Sequence, residues 1–445
     1  MAKQKTIDVI TLGCSKNRVD SEHLLRQIAS ASDRYSISFE DGDLTKGDVD
    51  IVILNTCGFI GDAKEESIAA IFAAVDAKSR GYIEKVFVFG CLSERYRDEL
   101  IDMIPEVDCF YGVMDHPSLL DALGLKYDNL LSTSRVITTP NHYAYLKISE
   151  GCDRSCSYCA IPLIRGPHIS VPVEDIIREA TILAASGVKE LIVIAQDTTY
   201  YGLDLYKKRK LAYLLEQLSL IPGIEWIRIH YSYPTAFPED VLHLMADNPK
   251  ICNYIDIPLQ HSSTKVLQMM RRAIDGETTR ALIDKFRTIV PDVVLRTTMI
   301  VGHPGEGKRD FQDLLNFVKE YKFERLGAFT YSEEEGTYGA LNYKNTIPKR
   351  VKEERYAQLM EVQSEISLAY NQSRVGKTLP VLVDSLSDGV LVARSQYESP
   401  EVDGEILIGL ENISSDINPA KLVGKFCNVT ITGANEYDLI ARLNQ

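Results

Sequence analysis

Short apolar runs alternate with helical patterns over the first hundred residues, and this alternation limits the fold to a parallel sheet covered by helices. Three strands are predicted, at residues 6–12, 50–56 and 85–90. The periodic segments between and after them predict helices at 19–31, 62–80 and 93–104. We therefore expect residues 1–122 to form an N-terminal open parallel α/β sheet domain.

A second alternating region follows a segment rich in Ser, Thr and Pro at 123–142, which has the composition of a linker. Its strands are predicted at 143–149, 189–195, 225–231, 253–257, 293–302 and 324–331. Six strand–helix units predict a partial (βα)6 barrel over 143–376, with an active site at the C-terminal ends of its strands. The chain then changes to short β-rich runs, so residues 377–445 are expected to form a small all-β domain.

Charge and hydropathy argue against a protein that binds nucleic acid through general electrostatic attraction and against a membrane or secreted protein. With 49 basic and 63 acidic residues, the chain has a net charge of −14, which disfavours binding to nucleic acid by general attraction to phosphates. No apolar run approaches the ~20 residues of a membrane span, and no secretion signal precedes the first strand. We expect a cytoplasmic protein that makes no contact with a membrane.

Cys14, Cys57 and Cys91 each stand just beyond the C-terminal end of a predicted strand. Because the carboxyl ends of parallel strands meet at one edge of a sheet, these three cysteines are expected to converge on one site. Three other cysteines fit no pattern and are expected to be buried thiols that pack as small apolar residues. They are Cys109, Cys252 and Cys427.

The remaining three cysteines, Cys152, Cys156 and Cys159, lie within eight residues of one another. Thiolates this close repel one another unless a cation or a cluster neutralises them. A 4Fe–4S cluster held by three thiolates keeps one iron free to bind another molecule, whereas a fourth thiolate would close it. A zinc site completed by His168 is the alternative, although structural zinc ligands usually form two compact pairs.

The three-cysteine loop follows Gly151, contains Tyr158 before its last cysteine and opens the six-unit barrel. In these features the chain resembles the radical S-adenosylmethionine superfamily. The resemblance implies that Cys152, Cys156 and Cys159 hold a 4Fe–4S cluster whose open iron binds S-adenosyl-L-methionine. It also implies that the reduced cluster cleaves this cofactor to a 5′-deoxyadenosyl radical, which abstracts an unactivated hydrogen.

The same resemblance indicates side chains around the cofactor. Tyr158 matches the aromatic position that lies beside the adenine. Gln196 and Asp197, after the second barrel strand, and Gly302 and Glu306, after the fifth, are candidates for the cofactor pocket. The alternative for these four positions is an ordinary polar or packing role at a strand end.

The first domain contains three segments similar to the cysteine motifs that open the methylthiotransferases, at 11–17, 55–60 and 90–96. That family spans essentially the whole chain. The resemblance implies that Cys14, Cys57 and Cys91 hold a second, auxiliary 4Fe–4S cluster, and that the C-terminal module is a TRAM domain. It also implies that sulfur presented by the auxiliary cluster is methylated by one S-adenosylmethionine and then joined to the carbon that lost its hydrogen.

Two branches of the family differ in substrate. One modifies an isopentenylated adenosine of tRNA, and the other modifies the β-carbon of an aspartate in small-subunit ribosomal protein number twelve. Four segments resemble the protein-modifying branch: 159–162 together with Arg165 and Gly166, 195–202, 254–261 and 393–404. We therefore predict the ribosomal protein enzyme, with the tRNA enzyme as the alternative.

The charge of the last domain favours the same branch. Residues 378–445 contain four basic and ten acidic residues, a balance of −6. An RNA-binding module should be basic, whereas an acidic one suits a basic ribosomal protein; a solvated acidic surface is the alternative. The expected partners are ribosomal protein twelve, free or in the assembled small subunit, and an electron donor such as flavodoxin or ferredoxin, with at most incidental contact to RNA.

Two positions depart from the family pattern. Val171 stands where a basic residue is frequent, and His303 stands where Phe is common. His303 and His261 are candidates either for proton donors or for hydrogen-bonding framework residues, and no catalytic acid or base is assigned from the sequence.

Overall fold

The computed structural model describes residues 4–40, 43–413 and 418–444. Within these ranges the chain forms a five-stranded sheet, a six-stranded sheet, a two-stranded hairpin and a closed five-stranded barrel. This arrangement confirms the predicted fold class of two α/β units followed by a small β module. None of the helices in the described ranges is long and apolar enough to cross a bilayer.

The N-terminal unit is a parallel sheet with the strand order β2-β1-β3-β4-β5. Its strands are β1 (Lys5–Thr11), β2 (Tyr35–Phe39), β3 (Ile51–Thr56), β4 (Lys85–Gly90) and β5 (Cys109–Phe110). Its helices are α1 (Ser15–Ala29), α2 (Gly61–Ser79), α3 (Cys91–Met103) and α4 (His116–Ala122). Along β3, Ile53 packs into one apolar core and Leu54 into another, so helices cover both faces, as expected for a parallel sheet.

Two helices of this unit begin earlier than their hydrophobic periodicity predicts. The pattern places the first helix at residue 19 and the third at 93, but α1 begins at Ser15 and α3 begins at Cys91. Polar residues form the first turn of α1 and carry no periodic signal, whereas α3 begins directly where β4 ends. As a result, Cys14 and Cys91 lie at helix N-termini, where backbone N–H groups have no helical partner.

The barrel unit contains six parallel strands in sequential order and a hairpin that the sequence did not predict. Its strands are β6 (Tyr143–Lys147), β7 (Ser149–Glu150), β8 (Ile169–Ser170), β9 (Glu190–Ile194), β10 (Trp226–Ile229), β11 (Ile251–Asp256), β12 (Val294–Val301) and β13 (Arg325–Thr330). Its helices are α5 (Ile161–Arg165), α6 (Val173–Ala185), α7 (Leu203–Tyr206), α8 (Leu211–Ser219), α9 (Glu239–Asp247), α10 (Thr264–Met269), α11 (Gly276–Ile289), α12 (Lys308–Tyr321), α13 (Tyr338–Asn342) and α14 (Lys349–Gln372). The β7–β8 hairpin is antiparallel and encloses the three-cysteine loop.

The C-terminal unit is a closed barrel with the strand order β14-β15-β16-β18-β17. Its strands are β14 (Thr378–Ser387), β15 (Val390–Arg394), β16 (Ile406–Gly409), β17 (Phe426–Ala434) and β18 (Leu439–Leu443). Buried Val383, Leu391 and Ile408 contribute to its apolar core. Closure of the barrel removes the unpaired strand edges that a small open sheet would expose.

Buried charges join this barrel to the larger one. Glu190, which begins β9, accepts from Arg228 of β10 at 2.8 Å and pairs with Arg394 of β15 at 2.9 Å. Arg228 also donates to the carbonyl oxygen of Gln396 at 2.7 Å. The segment after β15 therefore closes the end of the large barrel opposite the C-terminal ends of its strands.

Glu398 lies at the centre of this interface. Its carboxylate accepts hydrogen bonds from Arg374 and, at 3.2 Å, from Arg325 of β13. Burial alone would raise the pKa of Glu398, but the two guanidinium charges outweigh it and lower this pKa to about 2. Glu398 is therefore ionised across the neutral and mildly acidic range and holds the two barrels together.

Glu398→Gln is expected to destabilise the protein by about 3–5 kcal/mol at neutral pH, because it leaves buried guanidinium charges uncompensated. The folded-state pKa lies below the ordinary value of 4.5, so the contribution of Glu398 is complete above that pH and is lost as the pH falls toward 2. Urea unfolding at pH 7 and in this acidic window measures both effects. Glu361→Gln, exposed on α14, is the matched control; equal stability of the two variants would contradict the role of Glu398.

The contacts at this interface also change how the net charge of the C-terminal module is interpreted. Four of the ten carboxylates counted in 378–445 contact buried partners at this interface, namely Asp384 with Arg394, Glu398 with Arg374, Glu401 with Tyr145, and Asp403 with Tyr254. A fifth, Asp416, lies outside the described residues. The sequence balance of −6 therefore overstates the negative charge that this module presents to a partner.

Candidate active site

The three-cysteine loop is held in a compact shape by backbone contacts at both ends. Gly151, which opens the loop, has φ +71°, and a Cβ at this position would lie 1.9 Å from the carbonyl oxygen of Pro167, so only glycine fits. The Cys152 amide donates to the carbonyl oxygen of Gly166 at 3.0 Å. The Ser157 amide donates to the carbonyl oxygen of Met270 at 2.9 Å, which ties the loop to the helix α10 region.

The thiols of this loop share a buried, partly cationic environment. The Cys156 sulfur lies 3.7 Å from the Tyr233 hydroxyl and 3.8 Å from Arg272 Nη1. Burial, aided by the neighbouring sulfurs, raises the pKa of Cys152 to about 11 and raises the pKa of Cys159 as well. Thiolates at these positions therefore need a positively charged partner such as iron.

The zinc alternative is not supported by the position of His168. Its Nε2 lies 3.1 Å from the Ser170 hydroxyl, and its ring packs edge-on against Tyr200 at 4.9 Å between centroids. His168 therefore belongs to the framework of the hairpin.

A cleft of about 600 Å³ opens beside the loop, between the last barrel strands and the residues after Cys57. Tyr158, Ile300 and Phe329 line it, so it combines an aromatic ring with apolar strand ends, as pockets for planar ligands do. The side-chain oxygen atom of Gln260, which also lines the cleft, is buried without a hydrogen-bond partner in the described residues. Buried polar atoms are normally paired, so the cleft is shaped for a polar, partly planar ligand.

Gln196 and Asp197 follow β9 and occupy different positions relative to this loop. Gln196 Nε2 donates to Glu150 at 2.9 Å, and its Oε1 is buried with no partner among the described residues. Asp197 accepts from Arg154 at 2.8 Å and from the Thr199 hydroxyl at 2.6 Å. Gln196 thus keeps a free acceptor beside the cysteine loop, while Asp197 is occupied in orienting Arg154.

Gly302 and Glu306 form the turn after β12. The Glu306 carboxylate is 3% exposed; it accepts from the Gly302 amide and, at 2.8 Å, from Arg355 of α14. A Cβ at Gly302 would lie 2.4 Å from Lys352 Cγ. The structure therefore does not bring the Glu306 carboxylate to the cleft; this carboxylate shapes the turn that places Ile300 there.

His303 is a framework residue that holds the cysteine loop. Its Nδ1 lies 2.9 Å from the carbonyl oxygen of Pro304, which can only accept, so Nδ1 carries the proton and Nε2 accepts from the Ser157 hydroxyl at 3.1 Å. Burial lowers the pKa of His303 to about 4. A neutral imidazole thus replaces the phenyl ring of the family pattern and adds a hydrogen bond inside the loop.

His303→Phe is expected to lower stability by about 1–3 kcal/mol, because the Ser157 hydroxyl is left buried without a partner. The double variant Ser157→Ala/His303→Phe removes both partners and should recover most of this loss. Thermal unfolding of the two variants measures the difference. A double variant no more stable than His303→Phe would contradict the proposed hydrogen bond.

The second set of cysteines converges at the C-terminal edge of the N-terminal sheet. Cys14 precedes α1, Cys57 follows β3 and Cys91 begins α3. A Cβ at Gly13 would lie 2.9 Å from the Cys57 sulfur, so glycine allows the two loops to approach. Asn17 Oδ1 accepts from the Cys91 sulfhydryl at 3.7 Å, and the same side chain donates to the carbonyl oxygens of the residues that precede Gly13 and Cys57, so one amide joins all three loops.

Neighbouring cations affect the pKa values of these thiols to different extents. Burial raises the pKa of Cys14, but the charges of Lys16 and Arg165 and backbone N–H donors of α1 outweigh it and lower that pKa. Burial raises the pKa of Cys91 to about 12, although Arg165 opposes this rise. Of the three thiols, Cys14 is therefore the one most stabilised as a thiolate.

Arg165 connects the two groups of cysteines. It lies at the end of α5, just after the barrel loop, and Nε donates to the Cys91 sulfur at 3.4 Å. Its other nitrogens donate to Asn17 at 2.6 Å and to Glu150 at 2.9 Å. The sequence indicated Arg165 only as part of a segment that resembles the protein-modifying branch, since a single arginine carries no signal of a contact 74 residues away.

The loop after β10 also reaches both groups. Tyr231 lies beneath Lys16, whose Nζ is 3.0 Å from the ring centroid. Two residues on, the Tyr233 ring lies between the guanidinium groups of Arg154 and Arg272, at 4.0 and 4.1 Å from its centroid. The loop after β10 therefore contacts Lys16 next to the first group and, through the Tyr233 hydroxyl, the Cys156 sulfur of the second; the sequence did not indicate either tyrosine.

Three family models match the chain: the radical SAM superfamily over residues 146–318, the TRAM domain over 375–443, and the uncharacterized protein family UPF0004 over 6–112. Together with the partial barrel and its three-cysteine loop, these matches define the chain as a radical S-adenosylmethionine enzyme with a TRAM domain.

Curated relatives extend over the full chain. The ribosomal protein uS12 methylthiotransferase RimO of Bacteroides fragilis is 50% identical over 441 residues, covering 99% of this chain and 100% of the relative. The RimO proteins of Porphyromonas gingivalis and Christiangramia forsetii are also 50% identical, covering 99% and 98% of this chain and 99% and 94% of their own length. The chain therefore belongs to the RimO family of ribosomal protein uS12 methylthiotransferases.

Solved structures share the fold at low identity. The cobalamin-dependent S-adenosylmethionine radical enzyme OxsB aligns with a TM-score of 0.51 and 13% identity, covering 82% of this chain and 56% of its own. The radical S-adenosylmethionine methyltransferase TsrM of Kitasatospora setae aligns with a TM-score of 0.54 and 11% identity, covering 95% and 85%. At such identities the likeness extends to the fold alone.

Proposed function

We propose that this enzyme adds a methylthio group to the β-carbon of an aspartate in ribosomal protein uS12. The observation that carries the proposal is that the loop after β10 contacts both groups of cysteines: Tyr231 packs against Lys16, two residues after Cys14, and the Tyr233 hydroxyl lies 3.7 Å from the Cys156 sulfur. One group can serve radical formation and the other can supply sulfur. A protein that only carried clusters would not need one loop to contact both groups.

Membership of the radical S-adenosylmethionine enzymes implies a 4Fe–4S cluster and S-adenosyl-L-methionine as cofactors. We assign the cluster ligands to Cys152, Cys156 and Cys159; burial raises the thiol pKa of Cys152 and of Cys159, so thiolates at these two positions require a cationic partner. When bound, the reduced cluster supplies the electron that cleaves the cofactor. Tyr158 and the adjacent cleft would hold the adenosine group, and the free Gln196 acceptor would orient a donor group of the cofactor.

We assign Cys14, Cys57 and Cys91 as ligands of a second 4Fe–4S cluster, whose chemistry is to supply the sulfur that is transferred. The site is buried, and Lys16 and Arg165 provide positive charge to offset three thiolates. In this proposal, Arg165 fixes the distance between the two cysteine groups through its contacts with Cys91 and Glu150.

The tRNA alternative is less well supported. The relatives named for uS12 cover the whole chain, and the rim of the cleft carries charges of both signs, Asp62 and Glu353 beside Lys349, rather than the basic track that RNA requires. We propose uS12, free or in the assembled subunit, as the partner, with any RNA contact incidental, and a flavodoxin-like or ferredoxin-like electron donor. A ribosomal substrate also places the enzyme in the cytoplasm.

Incubation of the reconstituted full chain with S-adenosylmethionine, a reductant and purified uS12 tests the proposal. The expected product is uS12 heavier by one methylthio group in place of a hydrogen, and fragmentation mass spectrometry should locate it on an aspartate. Isopentenylated tRNA, offered in a parallel reaction, should be unchanged. Modified tRNA with unmodified uS12 would reverse the assignment.

A further inference from the structure

Arg272 is a buried arginine without a carboxylate partner. It lies just after α10 and is 6% exposed. It donates to the Pro258 carbonyl oxygen, to the Tyr158 hydroxyl at 3.4 Å and to the Cys156 sulfur at 3.8 Å, and no Asp or Glu of the described ranges forms an ion pair with it. Its Nε is buried with no hydrogen-bond partner in those ranges. Burying a guanidinium charge without a counter-charge is unfavourable, so an anionic group is expected to complete the site.

Arg154 brings a second guanidinium group to the same place. The centroid of the Tyr233 ring lies 4.0 Å from the guanidinium carbon of Arg154 and 4.1 Å from that of Arg272. Arg154 Nε pairs with Asp197 at 2.8 Å, but Nη2 is buried without a partner among the described residues. Two cations on one ring repel each other, and contact with the ring offsets only part of this cost. The pair of guanidinium groups therefore favours negative charge close by.

The three-cysteine loop lies beside both guanidinium groups. The Cys156 sulfur is 3.7 Å from the Tyr233 hydroxyl and 3.8 Å from Arg272 Nη1, and the Cys152 sulfur accepts from the Arg154 amide at 3.4 Å. Three thiolates around a 4Fe–4S core make an anionic group, and the electron that reduces the core adds one more negative charge. A cluster held by this loop would supply the counter-charge that the two arginines lack.

We propose that Arg272, with a smaller contribution from Arg154, raises the reduction potential of the cluster held by the three-cysteine loop. Positive charge and N–H donors beside the cluster sulfurs favour the reduced state, because that state is the more negative one. Arg272 contributes more because no carboxylate neutralises it, whereas Asp197 offsets the charge of Arg154. Easier reduction allows an electron donor of the flavodoxin or ferredoxin class to start the reaction. The proposal rests on the cluster assignment made above and adds the residues that tune that cluster.

Redox titration of the iron-loaded full chain, followed by electron paramagnetic resonance without S-adenosylmethionine, tests this role. Every protein in the series carries Cys57→Ala, so that the cluster of the barrel loop is titrated alone. Adding Arg272→Met is expected to shift the reduction equilibrium toward the oxidised cluster by roughly tenfold, which lowers the potential by about 59 mV for one electron. Arg272→Lys keeps the charge and should cause a smaller shift. Arg154→Met should also lower the potential, by a smaller factor than Arg272→Met.

Controls in the same series separate charge from structural effects. Arg178→Met removes an exposed arginine of α6 and should leave the potential unchanged. The iron content of each variant should match that of its parent; if Arg272→Met loads iron poorly, Arg272→Lys and Arg154→Met provide the test.

The choice of reductant gives a second readout. Formation of 5′-deoxyadenosine driven by reduced flavodoxin should fall by roughly tenfold in Arg272→Met, since less of its cluster is reduced. An excess of titanium(III) citrate, a stronger reductant, should restore it. A purely structural defect would lower the rate with both reductants.

Three outcomes would overturn the inference. It is wrong if Arg272→Met and its parent have the same potential, or if Arg154→Met causes the larger shift. An unchanged potential together with weaker binding of S-adenosylmethionine would assign Arg272 to the cofactor instead. A parent protein that holds no 4Fe–4S cluster would refute the cluster assignment and this inference with it, whereas a parent with a cluster but no shift refutes the inference alone.

Discussion

Cys156→Ala is expected to lower formation of 5′-deoxyadenosine by on the order of 10³-fold or more, or about 4 kcal/mol in activation free energy. The substitution removes one of the three thiols that share a single loop. Cys156 lies beside Tyr233 and Arg272, neither of which can replace a thiolate ligand. Chromatography of the reduced enzyme incubated with S-adenosylmethionine measures the product.

The matched control for this variant is Cys427→Ala, which removes a half-buried thiol from β17 in the C-terminal barrel. It should leave 5′-deoxyadenosine formation at the wild-type rate. Iron content should fall for Cys156→Ala and stay unchanged for the control. Wild-type levels of 5′-deoxyadenosine from Cys156→Ala would refute the assignment of the barrel loop.

Cys57→Ala is expected to have a different effect: transfer of the methylthio group to uS12 should stop, with a loss on the order of 10³-fold, while 5′-deoxyadenosine still forms. Cys57 lies on the N-terminal sheet, where its amide is held by the Ser67 hydroxyl at 2.9 Å, so the alanine variant should keep its backbone position. The barrel loop and its cleft are formed by other residues.

Two measurements on Cys57→Ala separate the roles of the cysteine groups. Iron bound per chain should fall by about half, since one of two clusters is lost, and mass spectrometry of uS12 should detect no product. Methylthiolated uS12 formed at the wild-type rate by this variant would exclude the sulfur-supplying role of Cys14, Cys57 and Cys91.

Local sequence patterns predicted most of the fold and the positions of the cysteines. Most strands of the two large sheets were predicted from buried apolar runs. The predicted strand ends put Cys14, Cys57 and Cys91 at one edge of the first sheet, where the structure has them. Edge strands β2 and β5 and the β7–β8 hairpin were not predicted, because a half-buried strand and two-residue strands carry little periodic signal.

Contacts between distant segments could not be predicted from these patterns. Arg165 meets Cys91 across two domains, and Lys16 meets Tyr231 across more than two hundred residues. The packing of the C-terminal barrel against the large barrel is a third case. Glu398 and Asp403 were counted in the net charge of the module as if they were exposed to solvent. In the structure, Glu398 pairs with Arg374 and Asp403 accepts from Tyr254. The composition of a module gives the number of its charged residues but not which of them are exposed to solvent.

The intact masses of small-subunit ribosomal proteins, compared between cells with and without this gene, test the function most directly. The enzyme proposed here predicts that uS12 loses the mass of one methylthio group when the gene is absent, while the nucleosides of tRNA are unchanged. An unchanged uS12 mass together with loss of the methylthio group from a tRNA nucleoside would contradict it and assign the enzyme to the tRNA branch.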